Sequence, residues 1–343
     1  MRLDISGDIR KISIADDRPF FSATHEEIAS GATSDVYFLR ARDILKKLGL
    51  LDTRVVADVF CRHSGVFCGS AEVKNLLTGR DIELYSLPEG KVFEAGATVM
   101  RVSGPYGEFG LFETALLGML SSATGWSTAA RECVAAAEGA PVVCFGARHI
   151  HPAVAPVMER SAVIGGVSGS SCILGALLSG LNPTGTVPHA AILIAGDTVR
   201  VAEAFDEVFD DDVPRIILVD TFKDEAEESL RVAAALKDKL AAVRLDTPSE
   251  RGGVTPQLVA EVRKRLDNEG RGAVRIVVSG GLTPQRIVTL KAAGADIFGV
   301  GSHISTAKPI EMTMDIKEIE GKAAAKRGRL PGPQAGEGLE RIL

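Results

Sequence analysis

Hydrophobic and polar positions along this chain change rhythm near its middle. Between Val55 and Val102, short apolar runs are broken by glycines. The runs are Val66-Phe67-Cys68, Asp81-Ile82-Glu83-Leu84-Tyr85, Lys91-Val92-Phe93 and Thr98-Val99-Met100-Arg101-Val102. Such runs predict a small antiparallel sandwich. An N-terminal arm precedes it, with a helix over Asp35 to Leu48, where apolar groups recur at helical spacing. Phe109 to Ala137 is rich in Ala, Leu, Met and Glu and predicts a long helix. Beyond it Val142-Val143-Cys144-Phe145 reads as a buried strand, and strand then alternates with helix. Amphipathic helices are predicted over Asp224–Leu240 and Pro256–Leu266, and a shorter helix over Pro284–Ala293. Its proline sits in the first turn, where the missing N–H costs nothing. Met312 to Ile319 predicts a last strand, and the Lys-, Arg-, Gly- and Pro-rich segment after Gly321 predicts a mobile tail.

In the second half, four apolar strands end on chemistry. Ile216-Ile217-Leu218-Val219 precedes Asp220, and Ala241-Ala242-Val243 precedes Arg244 and Asp246. Ile276-Val277-Val278 precedes Ser279-Gly280-Gly281, and Ile297-Phe298 precedes Gly299-Val300-Gly301. That is the rhythm of an α/β barrel, whose active site is built at the carboxyl ends of its strands. Aspartates there can hold a sugar or a metal, and glycine loops expose backbone N–H groups to phosphate. The fold expected is α/β: an irregular α/β barrel over residues 116–320, an N-terminal arm and α+β sandwich domain over 1–115, and a flexible tail over 321–343. A phosphorylated sugar is the substrate class this suggests.

The net charge of −6 argues against a general nucleic-acid binder, so an anionic substrate must meet a local basic cluster or Mg²⁺. Mean hydropathy is +0.15 and no apolar run approaches a membrane span, so a soluble protein is expected. Met1-Arg2-Leu3-Asp4 opens a polar segment without the apolar core of a signal peptide, and a cytoplasmic location is expected. Cys61, Cys68, Cys133, Cys144 and Cys172 form no C-x-x-C pair and read as reduced, small hydrophobes.

From Leu87 to Ala130, Pro-Glu-Gly, Glu-Ala-Gly, Val-Ser-Gly-Pro, Phe112-Glu113-Thr114 and Ser121-Ser122-Ala123-Thr124-Gly125 resemble a stretch shared by the type II phosphoribosyltransferases. Further motifs resemble the nicotinate phosphoribosyltransferases in their short archaeal-type form. These are Thr33-Ser34-Asp35-Val36-Tyr37, Phe145-Gly146-Ala147-Arg148, Pro183-Thr184-Gly185-Thr186-Val187-Pro188-His189, Val219-Asp220-Thr221, Arg244-Leu245-Asp246-Thr247, Val278-Ser279-Gly280-Gly281 and Phe298-Gly299-Val300-Gly301. They run in family order from about Ala32 to Glu320. The resemblance implies transfer of phosphoribose from phosphoribosyl pyrophosphate (PRPP) to nicotinate. The products would be nicotinate mononucleotide and pyrophosphate, with coupled ATP hydrolysis, as a ligase of NAD salvage.

It also implies roles, each with a plainer alternative. Phe145 would cover one face of the pyridine ring and Arg148 pair with its carboxylate; the alternative is a core Phe and a surface Arg. Tyr37 would cover the second face from an adjacent subunit, in a homodimer or larger ring of dimers with a shared site; the alternative is a tyrosine packed on the core. His189 would be phosphorylated by ATP, against a satisfied buried histidine. Arg244 and Asp246 would contact PRPP, with Asp220 and Asp246 as candidates for Mg²⁺, although Asp220-Thr221 also fits a helix cap. Ser279, Gly280, Gly281, Gly299, Gly301 and Ser302 would cradle the 5′-phosphate, against two tight βα turns. His149 and His151 flank the site without an assigned role, and Ser249 to Gly253 reads as a flexible cover.

Other readings stay open. A quinolinate phosphoribosyltransferase would bind a dicarboxylate, release CO₂ and dispense with ATP. Nicotinamide as base is a second rival, because Ser168, a candidate nicotinate-binding residue, stands where many relatives carry an acid. A non-catalytic pyridine- or nucleotide-binding protein is a third. No cysteine follows Cys172, so the zinc cluster of some short-form relatives is not expected.

Overall fold

The computed structural model describes residues 3–15 and 18–343, so the polar start at Met1-Arg2 lies outside the described residues. The chain divides into two compact units, one of residues 3–128 with 308–343 and one of residues 129–307. The boundary falls inside the long helix Glu113–Ala137.

In the first unit, antiparallel strands Arg54–Cys61, Glu83–Ser86 and Thr98–Pro105 form the sheet expected there. Alternate residues turn inward, so Ala57, Val59, Leu84, Met100 and Val102 are buried with Phe67, Phe109, Phe112 and Leu116. Met312–Ile319 is a strand as expected, but it is not part of the barrel. It pairs antiparallel with Arg54–Cys61, Asp58 lying opposite Asp315. Nor does the segment after Gly321 hang free. Glu340–Arg341 pairs with Tyr85 and Ser86, and the backbone N–H of Gln334 donates to Asp58 at 3.0 Å. Asp58 is fully buried and also takes both Nε and Nη2 of Arg101, so the returning segment helps satisfy a buried carboxylate.

The helix expected from Asp35 runs over Val36–Leu48. Ser34 donates to the carbonyl of Leu111 at 2.5 Å, and Thr114 donates to the Asp35 carboxylate at 2.8 Å. These two contacts set the start of the helix and present Tyr37 outward, 57% exposed.

The second unit is built on one parallel sheet of six strands. Their order is Gly169–Ser170, Val142–Cys144, Ile297–Val300, Arg275–Val278, Leu240–Leu245 and Arg215–Leu218. The sheet is curled and open, a half-barrel with the irregular α/β character expected. Val143, Ile216, Ala242, Val277 and Ile297 pack with Phe145 on one face. The connecting helices begin where their sequences dictate. Thr255 caps Pro256–Asn268, Thr283 caps Pro284–Ala292 and Asp224 caps Glu225–Leu236, each through a side-chain oxygen on a backbone N–H. No helix among the described residues is long and apolar enough to cross a membrane.

The first unit also holds a cavity of about 460 Å³ lined by Tyr106, Phe109, Met314, Ile316 and Lys326, into which Glu113 faces. Burial, then the neighbouring Asp315, pushes the Glu113 carboxyl up to about 7, with Lys326 opposing. A raised carboxyl pKa contributes stability that is present below its ordinary value and is lost as pH rises through 7. Glu113→Gln should therefore be more stable than the parent at pH 8, by about 1–2 kcal/mol after allowing for the solvent that reaches the group, and equal to it near pH 4. Urea denaturation at the two pH values checks the sign.

Candidate active site

All six parallel strands deliver side chains or backbone to one end of the sheet, their carboxyl end. Phe145 and Arg148 follow Val142–Cys144, the residues Ala147–His149 forming a 3₁₀ turn. Ser171 follows Gly169–Ser170, Asp220 follows Arg215–Leu218, and Asp246 follows Leu240–Leu245. Ser279, Gly280 and Gly281 follow Arg275–Val278; Gly301 and Ser302 follow Ile297–Val300. Two strands run longer than the sequence suggests. Arg244 therefore lies within its strand rather than beyond it, and Gly299 within its own.

Phe145, Arg148, Arg244, Asp246, the Ser279-Gly280-Gly281 turn, Gly299, Gly301 and Ser302 line a single cavity of about 470 Å³. Arg244 is its centre. The Nε donates to Ser279 Oγ at 2.9 Å, Nη1 to Thr186 Oγ1 at 2.9 Å and Nη2 to Asp246 Oδ2 at 3.1 Å. Its guanidinium carbon lies 5.0 Å from the centre of the Phe145 ring. Burial lowers the Arg244 pKa, with Asp246 and Asp220 opposing and Arg148 adding to the fall. The Ser279 hydroxyl donates in turn to Asp246 Oδ1 at 2.8 Å.

The glycines are required by space. Gly280 has φ +90°, a conformation L side chains rarely adopt, and a Cβ there would lie 3.2 Å from Asp246 Oδ1. A Cβ on Gly299 would meet the Phe145 ring at 2.4 Å. Arg148 differs from Arg244: it is exposed in the cavity wall and makes no hydrogen bond or ion pair among the described residues.

His189 opens the helix His189–Ala195 directly after the Gly185–Pro188 loop that lines the cavity. Its Nε2 lies 3.0 Å from Asp220 Oδ2. The imidazole is partly exposed while the Asp220 side chain is 1% exposed, so this is neither a satisfied core histidine nor a helix cap. The cap of the following helix is Asp224. Burial raises the Asp220 carboxyl and His189 counters it. Asp220 Oδ1 is buried with no hydrogen-bond partner.

Ser168 is not brought to this cavity. Its hydroxyl and its N–H both go to the carbonyl of Val142, at the amino end of that strand, opposite the mouth. A register difference of a few residues explains the misplacement: Ser171, three positions on, is the serine that lines the cavity. Tyr37 belongs to the other unit. Sequence reasoning also missed Thr186 as a partner of Arg244, although it lies inside the quoted Gly-Thr-Val-Pro-His motif.

Comparison with known proteins fits this geometry. The quinolinate phosphoribosyl transferase N-terminal domain matches residues 35–124, and the C-terminal domain of the same family matches residues 127–315. The nicotinate phosphoribosyltransferase pncB1 of Mycobacterium tuberculosis is 31% identical over 279 residues, covering 78% of this chain. The chain spans only 60% of the length of that relative. A crystal structure of nicotinate-nucleotide pyrophosphorylase from Pyrococcus furiosus has 46% identity and a TM-score of 0.88, covering 92% of this chain and 82% of the other. Human nicotinic acid phosphoribosyltransferase, at 18% identity and a TM-score of 0.71 over 88% of this chain and 77% of its own, shares the fold. With both domains matched, and with five of the six strand ends lining one cavity, the chain belongs to the quinolinate phosphoribosyl transferase family, the type II phosphoribosyltransferases.

Proposed function

We propose that this enzyme is a nicotinate phosphoribosyltransferase that joins nicotinate to PRPP and couples the transfer to ATP hydrolysis. One observation carries the choice of a monocarboxylate. Among the described residues lining the cavity, two are arginines and none is a lysine, and Arg244 already has its partners. Arg148 is thus the one unpaired guanidinium among those lining residues, in the same cavity as Phe145, and one carboxylate matches it. The glycine turns Ser279-Gly280-Gly281 and Gly301-Ser302 offer backbone N–H groups for the 5′-phosphate.

In the reaction, the lone pair of the pyridine nitrogen forms the bond to the anomeric carbon as the carbon–oxygen bond to pyrophosphate breaks. The electron pair departs with the pyrophosphate. No strong base is needed, so the protein's work is orientation and charge stabilisation. Asp246 and Asp220 are the residues that would hold Mg²⁺, and the buried, unpartnered Asp220 Oδ1 leaves an unmet demand for positive charge there. When bound, the ion would offset pyrophosphate charge. An ionised Asp220 can only accept, so His189 Nε2–H donates to it and Nδ1 keeps a lone pair. Nδ1 is therefore the nitrogen proposed to take the γ-phosphoryl group of ATP.

A second reading has its own support. The structure from Pyrococcus furiosus, 46% identical, is named a nicotinate-nucleotide pyrophosphorylase, and His149 beside Arg148 could meet a second carboxylate. Purified protein with PRPP, Mg²⁺ and either nicotinate or quinolinate, with and without ATP, separates the two. Nicotinate mononucleotide should form from nicotinate, faster with ATP. Release of CO₂ from quinolinate, indifferent to ATP, would favour the second reading. His189→Ala should abolish ATP stimulation while sparing some basal transfer.

The exposed Tyr37 supports a homodimer in which this ring covers the pyridine bound by the partner. Val36, Ile44 and Leu48 on the same helix are also exposed. Arg148→Ala should raise the nicotinate KM about 10- to 100-fold, the worth of one charge-assisted contact. Tyr37→Ala should weaken the same substrate. Mixing the two variants after subunit exchange should restore activity toward about a quarter of the parent's, because half the dimers then carry one intact site. Activities that merely average would show that the site is not shared.

A further inference from the structure

We propose that Glu159 is a positioning residue for the pyridine acid: its buried carboxylate clamps the two loops that carry Arg148 and Ser171. This role rests on the pyridine-acid reading above. Glu159 lies on the helix Ala155–Gly165 and is wholly buried, with no Lys, Arg or His partner among the described residues. Four donors replace a counter-ion. Oε1 accepts from the Ala147 N–H at 3.2 Å and from Ser171 Oγ at 3.1 Å. Oε2 accepts from Ser170 Oγ at 2.5 Å and from the Cys172 N–H at 2.7 Å. A carboxylate has about four lone-pair directions, and here each has a donor.

The donors come from two different strand ends. Ala147 immediately precedes Arg148, the unpaired guanidinium, and Ser171 lines the cavity itself. One anion therefore ties together the turn after Val142–Cys144 and the turn after Gly169–Ser170. The latter strand has only two residues and no apolar run to fix it, so its register depends on such contacts. The helix that follows, Ile173–Leu178, must come close, and Gly175 allows it: a Cβ there would lie 3.0 Å from the Cβ of Glu159. Burying a charge for packing alone is costly, because an apolar residue of similar size would serve. What the charge provides is directionality, fixing N–H and O–H vectors of both loops at once. Because the Ser171 proton points at Glu159, its oxygen has only lone pairs left for the cavity.

Glu159→Gln keeps size and shape but turns one acceptor oxygen into a donor, facing groups that also donate. In the full-length enzyme the KM for the pyridine acid should rise about tenfold, the equivalent of one lost hydrogen bond to a charged group. The PRPP KM should change less than about twofold, since the phosphate turns make no contact with Glu159. A purely structural residue would instead lower the thermal midpoint and the active fraction, reducing kcat at an unchanged KM; that outcome overturns the proposal. Ser171→Ala removes one clamp contact without leaving a buried charge bare and guards against a Glu159→Gln chain that does not fold. It should raise the same KM about threefold, and an unchanged value also overturns the role. A parent enzyme inactive on both pyridine acids would overturn the functional reading and this proposal together. An active parent with flat KM values in the variants overturns Glu159 alone.

Discussion

A guanidinium withdrawn from water needs a partner for each edge of its fork, and Arg244 finds its partners on three different segments. Asp246 follows its own strand, Ser279 follows the neighbouring strand, and Thr186 sits on the loop that leads to His189. Phe145, from a third strand end, lies against the flat face. Charged, planar and 14% exposed, this one side chain holds the mouth of the half-barrel in register. An unpaired buried charge costs about 3–5 kcal/mol, so the loops cannot drift independently without exposing that penalty. The glycines at 280 and 299 follow from the same constraint. Ser279 and Phe145 must approach Asp246 and the strand of Gly299 so closely that a side chain would intervene.

Two of the buried carboxylates of this unit, Glu159 and Asp220, differ in how fully they are satisfied. Glu159 has four donors and none of its capacity left. Asp220 has His189 on one oxygen and nothing on the other. A saturated anion stiffens its surroundings; a half-satisfied one keeps an unmet demand for positive charge. Asp220 faces a partly exposed imidazole on one oxygen, so the unmet demand falls on the other, where an incoming cation would answer it. On the proposed reading, structural and chemical duties are divided between two acids that look alike in the sequence.

Much of this was legible before the fold. Apolar runs ending on Asp220, Asp246, Ser279-Gly280-Gly281 and Gly301 marked the carboxyl ends, because a buried parallel strand leaves few other places for polar residues. What failed was pairing and register. Met312–Ile319 reads as a strand but does not say which strand it joins, and its partner is Arg54–Cys61, more than 250 residues earlier in the chain. Arg244 reads as the end of a strand because it is charged, yet a strand residue aimed at a polar mouth can be charged. Gly169–Ser170 has no hydrophobic signal at all, and with that strand unseen Ser168 was credited with the position that Ser171 occupies. In the sequence Glu159 resembles any helix acid on an exposed face; only the surrounding N–H and O–H donors distinguish it.

Overall charge is a poor guide to such a site. The chain carries −6, yet the proposed substrates are all anions. The mouth answers this locally, with two arginines whose duties are separate. Arg244 is neutralised within the protein by Asp246 and so contributes geometry more than net attraction. Arg148, unpaired in the wall, is on the proposed reading the charge kept for the ligand. On the same reading, phosphate is left to backbone N–H groups, which attract anions without adding a formal charge that a second anion nearby would have to share. This division bears on base selection. Among the described residues of the wall, a second carboxylate on the pyridine would find no second unpaired guanidinium, and a neutral amide would forgo the one that is there. On the proposed reading, the monoacid is the base whose charge the wall matches one for one.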